Sequence, residues 1–273
     1  MTDAKERLRG RLVVASVSGG KDSVALSLWL TEQGIAHERM YLDTGWEHPS
    51  VYEHLEYLRG KLGPIDVVRG PMSMADLVRK KGMFPSRQRR FCTEELKTFP
   101  AREHLNARMD AGEDVVNAVG IRREESMARA RMPEWDWMDG FDCEIWRPLI
   151  HWTLADVIAI HKRHDVKPNP LYLLGMDRVG CWPCINSNKG ELRKLAEIDP
   201  GRIDEIRALE EEVNVKARAR YDARVSAFRA GGAQALSKRD RGLLLNDDGT
   251  IKPFSSSSFL SPNIWWTRED ATP

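Results

Sequence analysis

No stretch of the sequence is apolar for long enough to cross a membrane. Its longest apolar runs, such as Val24 to Leu30, fall far short of the roughly 20 residues that span a bilayer. The start, MTDAKERLRGR, is charged and lacks the apolar core that a secretory signal peptide needs. We therefore expect a cytoplasmic globular protein with no membrane partner.

Net charge is almost absent as well, because 42 Lys and Arg stand against 41 Asp and Glu. Bulk electrostatics thus favours neither a nucleic acid nor a membrane as partner, and an anionic ligand would have to bind at a local basic cluster.

Cysteine is scarce too, with four among 273 residues. In a reducing compartment, cysteines are metal ligands, catalytic groups or core residues more often than members of disulfides. The positions of these four must therefore indicate which role each one has. They are Cys92, Cys143, Cys181 and Cys184.

Strands and helices alternate along the first half of the sequence. The segment from Arg11 to Leu30 consists of an apolar strand pattern, LVVASV, a turn, SGGKDS, and a helical pattern, VALSLWL. This alternation predicts an α/β fold with a parallel sheet, whose ligands bind at the carboxyl ends of the strands. That edge would gather Ser18 to Ser23, Asp43 to Gly45 and Gly120 to Arg123. Further strands are predicted over 38–42, 66–68, 114–119 and 144–146, and further helices over 50–62 and 153–163.

The rest of the chain divides by pattern into a loop, a helical extension and a tail. Residues 127–141 lack periodicity and are interpreted as a long loop or lid. Beyond a first domain over 1–189, a charged helical extension covers 190–236, and residues 237–273 are predicted to form an extended tail that is ordered only where Trp265 and Trp266 dock. The extension carries apolar residues at helical spacing that would face the core or a partner. These are Ile203, Ile206, Leu209 and Val213.

The turn Ser18-Gly19-Gly20-Lys21-Asp22-Ser23 carries the strongest chemical signal in the sequence. It lies between a buried strand and a helix N-terminus, where backbone N–H groups and the helix dipole favour an anion. Glycines let the backbone approach phosphate oxygens closely, while the lysine adds charge and the serines add hydroxyl donors. Its spacing differs from that of the Walker loop. The motif predicts a phosphate site, and the alternative is a tight turn with an incidental lysine.

Together with four further segments, this motif resembles the PP-loop superfamily of adenine nucleotide α-hydrolase-like ATP pyrophosphatases, and within it the phosphoadenosine phosphosulfate (PAPS) reductase family. The segments are YLDTGWEHPSVYEHL from Tyr41, RRFCTEELKTFP from Arg89, GIRREESMARAR from Gly120, and RPLIHWTLADVIAIHKRHDVKPNPLYLLGMDRVGCWPC from Arg147. They cover most of Val13 to Cys184. The resemblance implies a Rossmann-like parallel sheet with helices on both faces, which binds an adenine nucleotide.

The resemblance also implies where the nucleotide binds. Arg122 and Arg123 follow Gly120 at a strand end, where guanidinium groups can pair with a phosphate bidentately. The alternative is a solvated charged turn, since Glu124 and Glu125 are adjacent. The phosphates would lie on Ser18, Gly19, Gly20, Lys21, Asp22 and Ser23, and the nucleotide would also meet the turn of Asp43, Thr44 and Gly45. Lys21, Asp22, Lys97 and Arg129 are the candidate catalytic residues, and Asp22 or Asp43 would help to place Mg²⁺.

Cys181-Trp182-Pro183-Cys184 is a C-x-x-C motif, which by itself fits half a zinc site, a redox pair or part of an iron–sulfur cluster. Sulfonucleotide reductases of the family that this chain resembles join a cysteine pair before a CTxxLK-like segment to a later CxxC and hold a [4Fe–4S] cluster. This sequence has Phe91-Cys92 in place of the pair, so the resemblance implies Cys92, Cys181 and Cys184 as ligands. The fourth ligand is Cys143 or a group that is not cysteine. Zinc is the competing metal, but no histidine has zinc-finger spacing to the motif.

Two departures from the family bear on the reaction. The thiol-dependent reductases use a cysteine near the C-terminus, and this sequence has none after Cys184. Their phosphate loops are often altered, whereas SGGKDS is the complete form. We therefore expect ATP as the nucleotide: an acceptor is adenylated with release of pyrophosphate, and a sulfur nucleophile then displaces AMP. The alternatives are a sulfonucleotide reductase that produces sulfite, and a noncatalytic nucleotide-sensing subunit of a modification complex.

A basic run precedes Cys92 and contains no acidic residue. It could hold a nucleic-acid backbone, as DNA phosphorothioation or RNA thiolation requires, or the phosphates of a nucleotide, or it could be a solvated loop. A sulfur donor protein and a second copy of the chain are further candidate partners. The basic residues are Arg79, Lys80, Lys81, Arg87, Arg89 and Arg90.

Overall fold

A central sheet of six strands organises the fold in a computed structural model that describes residues 2–138 and 140–255. The tryptophans predicted to dock the tail, Trp265 and Trp266, lie outside the described residues. The strands are β1 (Leu12–Ser16), β2 (His37–Asp43), β3 (Asp66–Arg69), β4 (Val115–Val119), β5 (Trp135–Met138) and β6 (Cys143–Trp146). The helices are α1 (Thr2–Arg7), α2 (Lys21–Glu32), α3 (Pro49–Leu62), α4 (Met74–Lys81), α5 (Phe91–Thr93), α6 (Phe99–Asp110), α7 (Met127–Ala130), α8 (Leu154–Arg163), α9 (Pro170–Leu173), α10 (Lys189–Ile198), α11 (Pro200–Gly231) and α12 (Lys238–Leu244). A π-helical turn occupies Glu94–Thr98, and 3-10 turns occupy Arg123–Glu125 and Ala233–Ala235.

The strand order, β3-β2-β1-β4-β6-β5, places the first strand in the middle of the sheet. From β1 the chain moves outward through β2 to β3 and then returns to lay β4 on the other side of β1. Neighbouring strands are parallel except for β5 with β6. Because crossovers between parallel strands are right-handed, these two directions of travel place helices on opposite faces. The predicted α/β sheet is confirmed, and its topological switch point, where ligands bind in such sheets, lies between the carboxyl ends of β1 and β4.

Apolar side chains fill both faces of the sheet. On one face Val14, Met40 and Val115 pack in a single cluster with Ala101 and Leu105 of α6. Val13 and Ala15 are also fully buried, and because strand side chains alternate they point to the other face. There α2 and α8 are in contact, with Trp29 of α2 lying 5.7 Å from Trp146 of β6 between ring centres. The sheet is thus covered on both faces, and the ends of its strands are the places where a ligand can reach it.

Two stretches are more regular than their sequence indicates. The predicted loop or lid over 127–141 contains α7 and then β5, an antiparallel edge strand in which Trp135 pairs with Trp146. Trp135 also stacks on Trp146, with the ring centres 5.0 Å apart. Because β5 depends on this partner in another strand, its own sequence pattern does not identify it. The tail over 237–273, predicted to be extended, includes α12, whose N-cap Ser237 accepts a hydrogen bond from the Asp240 N–H.

The chain divides into two compact units. The first contains the described residues of 1–74 and 91–184, and the second contains 75–90 and the described residues beyond 184. Residues 75–90, which include most of α4, therefore group with the C-terminal helices rather than with their sequence neighbours. Over the described residues, no helix combines the length and the apolarity that a bilayer span requires.

The second unit is built on α11, a helix of 32 residues. Ile203, Ile206, Leu209 and Val213 are buried along one side of it, which confirms the apolar face predicted from their spacing. Gly232, with φ of +66°, ends the helix, in the backbone conformation that glycine commonly supplies at helix ends.

One carboxylate fastens the end of α2 to α8 in the first unit. Glu32 accepts hydrogen bonds from Nε and Nη2 of Arg163 at 2.5 and 2.8 Å. Nε2 of His164 lies 2.7 Å from the same carboxylate. The Arg163 hydrogen bonds lower the pKa of Glu32 to about 2.

Glu32→Gln is expected to lower the free energy of unfolding by about 1 kcal/mol at neutral pH, a modest effect because Arg163 is half exposed. A carboxylate whose pKa is lower in the folded state stabilises the fold above its unfolded pKa of about 4.3, and this stabilisation is lost as the pH falls towards the folded pKa. In urea unfolding, the difference from the parent should therefore shrink below about pH 4. Glu53→Gln, on the exposed side of α3, is the control. If the difference in unfolding free energy between Glu32→Gln and the parent stayed constant down to about pH 3, this role of the ion pair would be contradicted.

Candidate functional site

The predicted phosphate loop between β1 and α2 is closed by its own serine hydroxyls. The Ser18 N–H donates to Ser23 Oγ at 3.0 Å, and the Ser23 hydroxyl donates to the Gly20 carbonyl oxygen at 3.0 Å. Gly19 has φ of +74°, in the left-handed region that favours glycine. The N-cap residue of α2, Gly20, makes no side-chain capping hydrogen bond, so backbone N–H groups of the turn remain to be offered to an anion.

Lys21 and Asp22 open α2 beside a tyrosine from a distant part of the sequence. Lys21 Nζ lies 3.6 Å from Asp22 Oδ2 and 4.9 Å from the centre of the Tyr172 ring. The Tyr172 hydroxyl accepts a hydrogen bond from the Lys21 N–H at 3.2 Å. Sequence reasoning missed Tyr172, because nothing in its own segment indicates that it meets the loop.

The carboxyl end of β4 touches the phosphate loop at a glycine. A Cβ built on Gly120 would lie 2.6 Å from the Asp22 carbonyl oxygen and 3.0 Å from the Cα of Ser23. Distances this short are not tolerated between real atoms, so only glycine allows β4 and the start of α2 to meet. The predicted gathering of these two strand ends is therefore present in the structure.

Arg122 binds carboxylates of the protein itself. Its Nε donates to Asp22 Oδ1 at 2.5 Å, and its Nη1 pairs with Glu124. The side chain is 5% exposed. The sequence predicts that Arg122 pairs with a phosphate, whereas the structure commits its guanidinium to two carboxylates, so its position favours orienting Asp22.

Arg123 and Arg129, the other two arginines predicted to lie near the nucleotide, are nearer the surface. Arg123 is exposed, and its N–H donates to the Ile150 carbonyl oxygen at 2.9 Å. Arg129 is partly buried and pairs with Glu125 one turn away. Their placement near the phosphates or the reacting end stays a prediction from the resemblance.

Asp43, at the carboxyl end of β2, is enclosed by donors of the protein. Its Oδ1 accepts hydrogen bonds from the Gly45 N–H at 2.8 Å and from the Tyr52 hydroxyl at 2.9 Å, while its Oδ2 pairs with Arg69. Burial opposes ionisation, but these donors, Arg69 first, hold the pKa of Asp43 below its ordinary value. Asp43 is an ionised group that shapes the turn, and neither Arg69 nor Tyr52 was identified from the sequence.

The turn after β2 also reaches the C-x-x-C motif. The Thr44 hydroxyl donates to Glu47 Oε1 at 2.7 Å and lies 3.8 Å from Cys181 Sγ. Backbone bonds hold the two segments together, because Glu47 forms an isolated bridge with Cys181 and the Trp182 N–H donates to the Trp46 carbonyl oxygen at 2.8 Å. One turn therefore joins the predicted nucleotide site to the predicted metal site.

Cys92, Cys181 and Cys184 lie near one another, and Lys97 lies beside Cys181 and Cys184. The charge of Cys181 raises the pKa of Lys97, and burial together with the charges of Cys181 and Cys184 raises the pKa of Cys92. Burial is the main cause that raises the pKa of Cys181, with Lys97 opposing it. The structure thus brings together three of the four predicted ligands and one predicted catalytic lysine.

Cys143 lies elsewhere, in the apolar core. It is 2% exposed and packs with Val14, Val115 and Phe141 under α6. The charged groups that influence it are Arg11, Asp142 and Glu144, not the other cysteines. This position favours a packing role for Cys143 over the predicted role of metal ligand.

The basic run belongs to the second unit. Arg79 pairs with Asp76 and with Glu212 of α11, at 3.5 and 2.8 Å. All six basic side chains are exposed, namely Arg79, Lys80, Lys81, Arg87, Arg89 and Arg90.

A different group of candidate metal ligands lies at the amino-terminal end of the sheet. Among the described residues, Glu38, Asp66 and His104 form the one set of three whose ligand atoms lie within 4.8 Å of one another. Arg108 Nη2 is 2.7 Å from Glu38 Oε2 and 3.6 Å from Asp66 Oδ2. A guanidinium therefore already pairs with both carboxylates, and we assign no metal to this group.

Comparisons with known proteins point to one kind of domain. A family model described as the phosphoadenosine phosphosulfate reductase domain matches residues 12–187. A protein of Escherichia phage 186, named only as an uncharacterized 37.8 kDa protein, is 32% identical over 244 residues, which cover 71% of this chain and 73% of the phage protein. The adenosine 5'-phosphosulfate reductase of Allochromatium vinosum is 29% identical over 182 residues, covering 63% of this chain and 67% of the reductase.

Two further results concern length and fold. This chain spans only 38% and 44% of two uncharacterized relatives from Methanocaldococcus jannaschii, which are much longer proteins. Among solved structures, phosphoadenylyl-sulfate reductase from Candida auris, in a phosphate complex, is 20% identical and has a TM-score of 0.49. That match covers 62% of this chain and 81% of the yeast chain.

Proposed function

Because the chain belongs to the phosphoadenosine phosphosulfate reductase domain family, we propose that it cleaves ATP to AMP and pyrophosphate and so activates an acceptor for sulfur transfer. The observation that carries this proposal is the complete phosphate loop, whose N-cap residue Gly20 makes no side-chain capping hydrogen bond and whose helix begins with Lys21 and Asp22 together. A loop of this kind suits a nucleotide with a β,γ-diphosphate, which a sulfonucleotide lacks.

The residues of the loop have separate tasks in this reaction. Backbone N–H groups after Gly19 and Gly20, with Lys21 and the hydroxyls of Ser18 and Ser23, would hold the phosphates. Asp22 is the better candidate for placing Mg²⁺, because Arg122 orients one of its oxygens and the other lies towards Lys21. Asp43 fits that task less well, since both of its oxygens already accept from the protein.

The chemical steps follow from adenylation. An oxygen of the acceptor attacks the α-phosphorus, the bond from that phosphorus to the bridging oxygen breaks, and pyrophosphate leaves. A sulfur nucleophile then takes the place of the adenylated oxygen, which departs with AMP. Lys21 would stabilise the charge on the leaving pyrophosphate, and preorganised cations of this kind supply a large part of the rate in phosphoryl transfer.

The three cysteines fit an iron–sulfur cluster, because Cys92 lies near enough to Cys181 and Cys184 for their charges to raise its pKa, and Cys181 lies beside the turn that follows β2. Held by three cysteines, a [4Fe–4S] cluster would supply an iron with an open position that can carry a sulfur atom. Zinc is the weaker candidate, since one ion at about 2.3 Å from each sulfur needs thiols within about 4 Å of one another. In the described part of the chain, the group that meets a 4.8 Å spacing is Glu38, Asp66 and His104, not these cysteines.

Lys97 and Arg129 would serve the reacting end. Lys97 lies among the thiols and near Glu47, where its positive charge would favour a thiolate or another anionic sulfur. Arg129 follows the Gly120 segment and pairs with Glu125, so its guanidinium would have to exchange this partner for a phosphate.

The acceptor we favour is a nucleic acid. The exposed basic residues of the second unit are suited to phosphate contacts, which supply most of the affinity for DNA or RNA. A sulfur donor protein and a second copy of the chain stay predictions from the sequence.

Product analysis tests the proposal. Full-length protein, purified without oxygen, would be incubated with α-labelled ATP, Mg²⁺, sulfide, and either DNA or RNA. We expect AMP, pyrophosphate and a thiolated acceptor. Lys21→Ala should slow cleavage by about 100-fold, while Lys5→Ala, on exposed α1, should leave it unchanged. Formation of ADP and phosphate, or no cleavage with either acceptor, would contradict the proposal.

A second candidate function is sulfonucleotide reduction. It is favoured by the relatives named as adenosine 5'-phosphosulfate reductases, one of which is 29% identical over 63% of this chain. The same preparation would be given adenosine phosphosulfate or PAPS with thioredoxin. Sulfite production would establish this function in place of the first.

A further inference from the structure

A cavity of about 660 Å³ opens beside the phosphate loop in the first unit. Its walls come from α8, the segment after α8, and α9 with the residues that follow it. None of these residues except Lys21 has a task in the proposed reaction. The volume lies in the range of pockets that bind small molecules, roughly 300–1,000 Å³.

The walls of the cavity are largely apolar. Val157 and Val166 are buried behind it, and Tyr172 contributes an aromatic ring. Ile158 and Leu154 are 44% and 43% exposed, although both are large apolar side chains on one helix. Apolar surface left open around a concave site is the kind that ligands cover.

Positive charge exceeds negative charge at the rim. Lys21, Lys162 and Lys167 line the cavity, against Asp165 and Asp177. Asp165 is already paired, because its Oδ2 lies 3.1 Å from Nζ of Lys61 outside the cavity. Lys162 and Lys167 are exposed and take part in no ion pair within the described residues. The site therefore offers two ammonium groups beside an apolar wall.

The same walls hold the phosphate loop. His161 Nε2 lies 2.8 Å from the Lys21 carbonyl oxygen, and its Nδ1 lies 3.2 Å from the Val166 carbonyl oxygen. Tyr172 accepts from the Lys21 N–H on the other side. A ligand in the cavity would therefore contact the residues that position Lys21.

We infer that this cavity binds a second small molecule, an organic anion with an aromatic or branched apolar body, next to the phosphates of the nucleotide. Its apolar part would lie on Ile158 and Tyr172, and its anionic group would meet Lys162 and Lys167. Through His161 and Tyr172 its binding is coupled to the phosphate loop, so it changes the affinity for the nucleotide without sharing its site.

Calorimetric titration of the full-length protein with naphthalene-1-sulfonate tests this inference. We expect one saturable site, and about tenfold weaker binding of the uncharged analogue naphthalene-1-methanol. Lys162→Glu combined with Lys167→Glu should weaken sulfonate binding by about tenfold. Ile158→Trp should abolish it by filling the cavity from the rim.

Matched controls separate these effects from general changes in charge or apolar surface. Lys5→Glu alters an exposed lysine on α1, and Leu173→Trp alters an exposed apolar residue that does not line the cavity. Both should bind the sulfonate as the parent does. All altered side chains are at least partly exposed, so thermal unfolding should show every variant folded.

Other outcomes would overturn the inference. Absence of saturable binding, equal binding of the uncharged analogue, or parental binding by Ile158→Trp would each do so. The titration is repeated with saturating α,β-methylene-ATP, which we expect to change the affinity while the stoichiometry stays at one. Complete displacement by the nucleotide would show that the cavity belongs to the nucleotide site.

Discussion

Gly120→Ala is expected to destabilise the fold by about 3 kcal/mol and to weaken nucleotide binding by at least about tenfold. The added Cβ would lie 2.6 Å from the Asp22 carbonyl oxygen and 3.0 Å from Ser23 Cα. Both are backbone atoms of a helix start, so neither can turn aside as a flexible side chain would. Either β4 or the phosphate loop must move, and the loop then loses the geometry that we propose for phosphate.

Urea unfolding and titration with α,β-methylene-ATP measure the two effects. Gly60→Ala is the matched control, because a Cβ at Gly60 in α3 meets nothing within 4 Å. Alanine there should raise stability by up to about 1 kcal/mol, since glycine is unfavourable inside a helix. If Gly120→Ala behaved like Gly60→Ala, the close contact between β4 and α2 would be contradicted.

Cys92→Ser, Cys181→Ser and Cys184→Ser are each expected to reduce bound iron from about four atoms per chain to a small remainder. Loss of one thiolate from a set of three leaves the cluster too few ligands. Cys143→Ala should keep the parental iron content, because Cys143 packs in the core under α6. Cys143→Ala should lower the free energy of unfolding by about 1 kcal/mol, because it leaves a small cavity in the core.

Iron, sulfide and zinc would be counted in protein purified without oxygen. Loss of iron from Cys143→Ala, in a protein that remains folded, would make Cys143 the fourth ligand and contradict its proposed packing role. One zinc per chain in place of iron would contradict the cluster itself.

Local sequence patterns were enough for the parts of the fold that short-range physics determines. LVVASV followed by SGGKDS identified β1 and α2 because a buried strand and a glycine turn are both local properties. The helix predicted over 153–163 is α8, which begins with a capping box of Thr153 and Asp156, another local feature. The alternation of elements then placed Gly120 and the phosphate loop at one edge of a parallel sheet.

Partners that are distant in sequence could not be read in the same way. Nothing in the sequence indicates that Arg122 pairs with Asp22, which is 100 residues away. Tyr172 meets Lys21 from a similar distance. The sequence predicts a loop where the structure has β5, because this strand is defined by the pairing and stacking of Trp135 with Trp146 of the next strand. These contacts depend on tertiary packing, which no local pattern encodes.

The choice of nucleotide is the central claim, and a comparison of the affinities for two ligands tests it most directly. Protein purified without oxygen would be titrated with α,β-methylene-ATP and, separately, with PAPS, both in the presence of Mg²⁺. Our account predicts that the ATP analogue binds at least about tenfold more tightly than PAPS, and that Lys21→Ala removes this preference. Tighter binding of PAPS, unaffected by Lys21→Ala, would contradict it.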